Sequence, residues 1–126
     1  MKQVLFLVFG LLAGSAFARP GPDTLGVCYV FKANKLSARA PCVVGSGYGA
    51  GAEYLNLTIG DREYYAEFPN LRPNMTPTLN GKPALEYERD TSFLGILKGQ
   101  PLEGEDYMPC IKTKDGKTDV CSLVGQ

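Results

Sequence analysis

The fold depends on residues 54–68, which read Tyr54-Leu-Asn-Leu-Thr-Ile-Gly-Asp-Arg-Glu-Tyr-Tyr-Ala-Glu-Phe68. Apolar and polar residues alternate on both sides of Gly60-Asp61, and such a pair between two alternating runs favours a tight turn. Folding the stretch about this turn predicts two cross-strand pairs, Leu57–Tyr64 and Leu55–Ala66. One face is then apolar and the other polar, which is typical of an antiparallel hairpin lying on a hydrophobic core.

The rest of the chain has the same character. Its 15 glycines and 9 prolines divide it into short segments rich in β-branched and aromatic residues. Asn80-Gly81 and Asp115-Gly116 are strong signals for hairpin turns. The sequence therefore predicts an all-β fold, a small antiparallel barrel or sandwich of six to eight short strands, with residues 27–126 in a single domain.

Two other segments carry weaker signals. Asn34-Lys35 should connect a strand over 27–33 to an alternating strand over 36–44. Residues 91–98 favour one helical turn that plugs the core, although Gly95 disfavours a longer helix.

Four cysteines, Cys28, Cys42, Cys110 and Cys121, predict two disulfides that staple this domain. The pairs Cys28–Cys42 and Cys110–Cys121 are favoured because each brackets a turn. A strict two-residue loop at Asp115-Gly116 would make 110–121 a hydrogen-bonded pair, whose wider Cα spacing suits a disulfide less well. A bulge near that turn, or a cross pairing between the two halves of the chain, is therefore an alternative.

The N-terminal residues predict export. Residues 4–12 are almost wholly apolar, and Ala16-Phe17-Ala18 has the small-x-small pattern that a signal peptidase needs. The apolar run is too short and too interrupted by glycine to span a bilayer as a helix. We expect a signal peptide over 1–18, a flexible tail over 19–26, and a periplasmic or secreted location where disulfides persist.

Composition and charge exclude several classes of function. The 13 basic and 13 acidic residues give a formal net charge of +0, and the basic residues are scattered, so neither nucleic acid nor an anionic membrane is an expected partner. The chain contains no histidine, which excludes Ser-His-Asp triads and histidine metal sites. We expect no cofactor, no metal, no membrane span and a monomer.

One carboxylate pair invites comparison with glycosidases. Glu86 and Glu88 would share a face of a strand, close enough for the coupling that separates the pKa values of two catalytic carboxyl groups. An exposed strand face kept soluble by charge is far more common. We therefore expect a protein that is not an enzyme.

Residues 45–53, Gly-Ser-Gly-Tyr-Gly-Ala-Gly-Ala-Glu, contain four glycines. They could form a flexible finger that inserts into a partner's cleft, because glycine permits unusual φ values and tyrosine is a good anchor. The alternative is a long hairpin tip or a bulged strand in which small residues permit close packing. In the first interpretation Tyr48 and Tyr54 are anchors and Glu53 contacts a basic surface. The candidate binding residues are Ser46, Tyr48, Ala50, Glu53 and Tyr54.

From Cys28 on, the layout resembles small exported bacterial proteins of unknown function with two disulfides. The features that carry this resemblance are Cys28-Tyr-Val-Phe, Ala40-Pro-Cys42 before the glycine-rich segment, Leu79-Asn-Gly-Lys82, and the closing stretch from Cys110 to Cys121.

Gly49-Ala-Gly-Ala-Glu53-Tyr54 is also similar to the Ser-Gly-x-x-Tyr loop of the periplasmic and membrane-bound inhibitors of c-type lysozyme. Those inhibitors are small disulfide-linked β-barrels that block the lysozyme cleft with this loop. Here Ala50 stands in place of the family's serine, Glu53 replaces a basic residue, and the segment lies earlier in the chain. Ser46 is the residue that would substitute for the missing serine.

Together these features predict a non-enzymatic exported binding protein. Its partner would be a lysozyme-like cell-wall hydrolase or a toxin, which the protein would inhibit or neutralise through residues 45–54. The alternative function is a structural or envelope-associated module.

Overall fold

The computed structural model describes residues 18–20, 22–49, 51–69, 75–99 and 106–124, and these ranges contain no helix. None of them therefore holds a helix long and apolar enough to cross a membrane. The strands in these ranges are β1 (Ala18–Pro20), β2 (Thr24–Lys32), β3 (Lys35–Gly49), β4 (Ala52–Ile59), β5 (Arg62–Phe68), β6 (Thr78–Leu79), β7 (Lys82–Asp90), β8 (Tyr107–Thr113) and β9 (Asp119–Val124).

All strand pairs are antiparallel, and β2 to β9 close into a ring. The ring order is β3-β2-β9-β8-β7-β6-β5-β4, and β4 pairs back with β3 to complete it. Strand β1 pairs with the end of β3. The all-β prediction is confirmed, and closure of the sheet makes the fold a barrel rather than a sandwich.

The β4–β5 hairpin forms in the predicted register, with Leu57 opposite Tyr64 and Leu55 opposite Ala66. Its apolar face lies on the barrel interior, where every strand of the ring contributes at least one buried side chain. These are Cys28, Val30, Cys42, Val44, Leu57, Tyr64, Ala66, Leu79, Ala84, Ile111 and Val120. Successive residues of a strand point to opposite faces, so a second apolar cluster forms on the outer face of β2, β8 and β9. It contains Tyr29, Phe31, Met108, Cys110 and Cys121, with Leu94 packed against it.

The two disulfides are Cys28–Cys42 and Cys110–Cys121, as the turn positions predict. The loop of the second hairpin is longer than two residues, because the Thr113 amide donates to the Thr118 carbonyl at 2.9 Å. Hydrogen-bonded and non-hydrogen-bonded pairs alternate along an antiparallel ladder, so this bond makes 110–121 a non-hydrogen-bonded pair. Its Cα atoms lie 4.0 Å apart, and neither a bulge nor a cross pairing is needed.

The structure differs from the tail expected over 19–26. Residues 18–20 of β1 pair with residues 47–49 of β3, and β2 already begins at Thr24. Leu25 lies opposite Val43, so the β2–β3 ladder continues beyond the Cys28–Cys42 disulfide. The backbone groups of this segment are therefore hydrogen-bonded within the sheet.

One predicted turn is also corrected. The β2–β3 turn lies at Ala33–Asn34 rather than Asn34-Lys35, and both residues have positive φ, 51° and 65°. Left-handed conformations at both positions match the right-handed twist of the flanking strands. After β7 one helical turn does form, because the Leu94 amide donates to the Asp90 carbonyl at 2.9 Å, and Leu94 packs on the outer cluster rather than in the barrel interior. The chain then reverses, and Ile96 bridges back to Arg89.

Candidate binding site at the open end of the barrel

The glycine-rich segment is a paired strand and not a flexible finger. Gly45 to Gly49 form the last third of β3 and pair with β4 on one side. Residues 47–49 also pair with β1 on the other side. The alternative of a strand with close packing is therefore the one observed. At Gly45 a Cβ atom would lie 2.8 Å from the Asp23 carboxylate oxygen, so glycine lets that side chain approach β3.

An open cleft of about 290 Å³ lies at the end of the barrel where β4 begins and β5 ends. Its lining residues are Ser46, Glu53, Tyr54, Leu55, Phe68 and Glu86. Three of the predicted binding residues, Ser46, Glu53 and Tyr54, are thus brought together. Tyr48 lies opposite Glu53 in the ladder and is 58% exposed. Ala50 lies outside the described residues.

A smaller pocket of about 40 Å³ adjoins the cleft on the interior side of the barrel wall. Leu55, Phe68 and Glu86 line both spaces, and Ile111 and Val120 add to the apolar wall of the inner one. The polar side chains that line the inner pocket are Glu86 and Ser122. An apolar pocket with a few converging polar groups is the usual form of a binding site.

Register explains why Glu86 and Ser122 face the same space. Glu86 lies opposite Ile111, and Ile111 lies opposite Val120, so the three side chains form a row on the interior face. Ser122 is two residues beyond Val120 on β9 and therefore shares its face. It also lies opposite Cys28, whose side chain is buried in the interior cluster.

Glu86 is the electrostatically perturbed group of the site. Burial raises the pKa of its carboxyl group above 4.5, and the negative charge of Glu53 raises this pKa further. Glu88 lies beside Glu86 in a neighbouring cleft, as a shared strand face predicts. The carboxylate that raises the pKa of Glu86 is however Glu53 on β4, a contact between distant segments that strand periodicity could not reveal.

A separate polar network lies on the outer face of the barrel. Arg89 is 2% exposed and forms a salt bridge with Asp119, at 3.3 Å between Nη2 and Oδ2. Tyr87 donates a hydrogen bond to Asp119, and the pKa of its phenol is raised above the usual range mainly by burial and then by this bond. Arg89 also donates to the Leu94 carbonyl at 2.8 Å, which ties down the chain reversal after β7.

The network also fixes the partner of Asp119. Lys112 lies opposite Asp119 in the β8–β9 ladder, but the described salt bridge of Asp119 is with Arg89. Lys112 lies instead over the ring of Tyr87, with Nζ 5.1 Å from the ring centroid. The described residues contain no group of three or more Cys, Asp or Glu side chains placed to hold a metal ion.

Comparisons with known proteins leave the site to be interpreted from its own geometry. No family model matches the chain, no curated protein matches it in sequence, and no solved structure matches its fold. The similarity of residues 49–54 to the loop of lysozyme inhibitors therefore stays a prediction.

Proposed function

We propose that the protein is a non-enzymatic exported binding protein that recognises a basic partner, such as a lysozyme-like hydrolase or a toxin, with the open end of its barrel. One observation carries this proposal. The cleft at that end places Glu53 and Glu86, from two different strands, close enough for the charge of Glu53 to raise the pKa of Glu86. A positively charged group of a partner would relieve this repulsion, and complementary charge favours association with basic surfaces.

The rim of the cleft has the residues expected of a protein contact. Tyr48 is 58% exposed beside Glu53, and tyrosine offers a large contact area for little loss of side-chain entropy. Tyr54 stacks on Tyr65, with ring centroids 6.0 Å apart. Tyr54 points to the face of β4 opposite to that of Glu53, so the ring beside the Glu53 carboxylate is Tyr48. An aromatic anchor beside complementary charge is typical of binding hot spots.

The site is held by paired strands and a disulfide. Strand β3 is hydrogen-bonded to β4 through residues 43–49, and Cys42 ties β3 to β2. A site held in this way loses little conformational entropy on binding. The protein would therefore present a rigid hairpin end to its partner, and not a loop that folds on contact.

The test is calorimetric titration of the oxidised protein with c-, g- and i-type lysozymes. We expect Tyr48→Ala and Glu53→Lys each to weaken binding about tenfold or more while thermal unfolding stays unchanged. The matched controls are Leu36→Ala and Glu63→Lys, at exposed positions where β3 and β5 begin, away from the cleft. Equal affinity in both cleft variants would remove this site from the proposal, and a wild-type protein that binds no lysozyme would remove the hydrolase as partner.

The second candidate, an envelope-associated module, is favoured by one exposed side chain. The Phe93 side chain is 88% exposed. The backbone that carries it is nevertheless held in place, because the amides of Ser92 and Phe93 both donate to Asp90 Oδ1 at 2.7 Å. An apolar ring held out in this way suits insertion into a lipid interface. If this candidate is right, the protein should sediment with phosphatidylethanolamine–phosphatidylglycerol vesicles, and Phe93→Ala should weaken the association. Leu25→Ala, at a position 78% exposed, is the control.

A further inference from the structure

We infer that the inner pocket of the barrel accepts an ammonium group carried on an unbranched apolar stem, as in a lysine side chain, with Glu86 and Ser122 as its hydrogen-bond acceptors. This inference deepens the proposed function and rests on it for the source of the group, because a basic partner would supply the lysine. A free alkylamine has the same chemistry and is the other source.

The polar end of the pocket is supported by Ser122. Ser122 is only 5% exposed, and it lines the inner pocket. A hydroxyl on the wall of a pocket can accept a hydrogen bond from a group that enters the pocket. A lysine ammonium has three N–H donors and no acceptor, and it could donate to both this hydroxyl and the Glu86 carboxylate.

The size of the space favours ammonium over guanidinium. The inner pocket has a volume of about 40 Å³. On the same scale a cavity for a single water molecule measures about 10–15 Å³, and a cavity that holds benzene measures about 150 Å³. A compact ammonium group is close to the first of these sizes, whereas the planar guanidinium of arginine needs a wider space and a fork of acceptors.

The apolar stem of the ligand would contact an apolar part of the site. Leu55 and Phe68 line both the cleft and the inner pocket, so an alkyl chain entering from the cleft would lie along them. Lysine buries its methylene groups in this way while its charged end reaches polar partners. Glu86 compensates the desolvation of the ammonium, which would be too costly in an apolar pocket without an opposite charge.

The experiment uses small probes, so that it does not depend on finding the protein partner. The oxidised protein is titrated with n-butylammonium, Nα-acetyl-lysine methylamide and Nα-acetyl-arginine methylamide, and the amide NMR shifts of Ile111, Val120 and Ser122 are followed. We expect the first two probes to bind with Kd on the order of millimolar. The arginine derivative should bind about tenfold more weakly or not at all.

Two variants locate the bound group. Glu86→Gln should weaken binding of the lysine derivative about tenfold, and Ser122→Ala about threefold to tenfold. Thermal unfolding checks that both variants fold, and Glu63→Gln, on an exposed residue of β5, should leave the affinity unchanged. Arginine binding as tight as lysine binding, full affinity in Glu86→Gln and Ser122→Ala, or no shift with any amine would each overturn the inference.

The outcomes also separate this inference from the proposed function. Amine binding in a protein that binds no lysozyme would support the pocket and remove the hydrolase partner. Lysozyme binding that the lysine derivative does not compete with, in a protein whose pocket shows no shifts, would support the partner and overturn the pocket. Tighter binding of n-butylammonium than of the lysine derivative would support the pocket and assign it to a free amine.

Discussion

At the scale of single residues, Glu86 links the electrostatics of the barrel to its stability. Its side chain lies on the interior face opposite Ile111, and burial together with the charge of Glu53 raises its pKa above 4.5. The ionised carboxylate is therefore less stable in the folded protein than in the unfolded chain. A residue that lowers stability in this way is more readily explained by binding than by folding.

The sign of this effect gives a prediction. Because the folded pKa is raised, Glu86 lowers the free energy of unfolding as the pH rises through that pKa, and it has no such effect below the unfolded value of about 4.5. Glu86→Gln should therefore raise the free energy of unfolding at neutral pH, by less than about 1 kcal/mol because solvent screens the group, and leave it unchanged near pH 3. Urea denaturation at the two pH values measures this. A variant less stable than wild type at neutral pH would contradict it.

At the scale of the strands, two glycines show how closely neighbouring segments approach. A Cβ atom at Gly26 on β2 would lie 2.7 Å from the backbone carbonyl oxygen of Leu123 on β9. A Cβ atom at Gly45 on β3 would instead meet the end of the Asp23 side chain, at 2.8 Å. The distances are nearly equal, but a side chain can rotate away and a paired strand cannot.

The two alanine substitutions should therefore differ. Gly26→Ala should destabilise the protein by about 1–3 kcal/mol, because β9 must shift to admit the methyl group. Gly45→Ala should change the free energy of unfolding by less than about 1 kcal/mol, because alanine also lowers the entropy of the unfolded chain. Chemical denaturation of the two variants beside wild type checks this. An equal loss of unfolding free energy in the two variants would mean that the Asp23 side chain cannot move away from the added methyl group any more readily than β9 can.

The same scale separates what the sequence predicts from what it does not. The β4–β5 hairpin and the Asn80-Gly81 turn follow from alternation and turn chemistry within a few residues, and both form as expected. The Ala33–Asn34 turn is missed because alanine rarely adopts positive φ. The length of the loop between Cys110 and Cys121 is predicted too short. The Thr118 amide donates to Thr113 Oγ1 and the Lys117 amide donates to Asp115 Oδ1, and these side-chain bonds support a loop of more than two residues.

The candidate site divides in the same way. Ser46, Glu53 and Tyr54 are predicted from one short segment, and the structure places them in one cleft. Glu86 joins them only because the barrel closes and brings β7 near β4, and such long-range closure leaves no local pattern. Ser122 carries no signal in the sequence, since a serine within an apolar strand is not distinctive.

At the scale of the whole molecule, the two disulfides lie on opposite faces of the barrel wall. Cys28–Cys42 lies in the interior cluster, and Cys110–Cys121 lies in the outer one. Arg89 supports the outer side as well, because it joins β9 through Asp119 and the β2–β3 turn through Asn34, at 3.2 Å from Nη2 to Oδ1. The outer cluster is therefore stabilised by a disulfide and by the polar contacts of Arg89. The position of Ser46 and Tyr48 at the binding end depends instead on how firmly β3 is held.

This arrangement predicts unequal effects of removing each disulfide. Their sequence separations of 14 and 11 are similar, so either double alanine variant should lose about 3 kcal/mol of stability by chain entropy. Local exchange should differ. Loss of Cys28–Cys42 should speed hydrogen exchange at residues 43–49 of β3, which carry Ser46 and Tyr48, because the disulfide fastens this strand to β2.

Loss of Cys110–Cys121 should leave exchange at residues 43–49 close to wild type and speed it in β8 and β9. The measurement is native-state exchange followed by NMR, in conditions where both variants stay folded. Equal acceleration throughout the barrel in both variants would show that the wall opens as one unit. In that case the rigidity of the binding end would come from closure of the ring and not from its own disulfide.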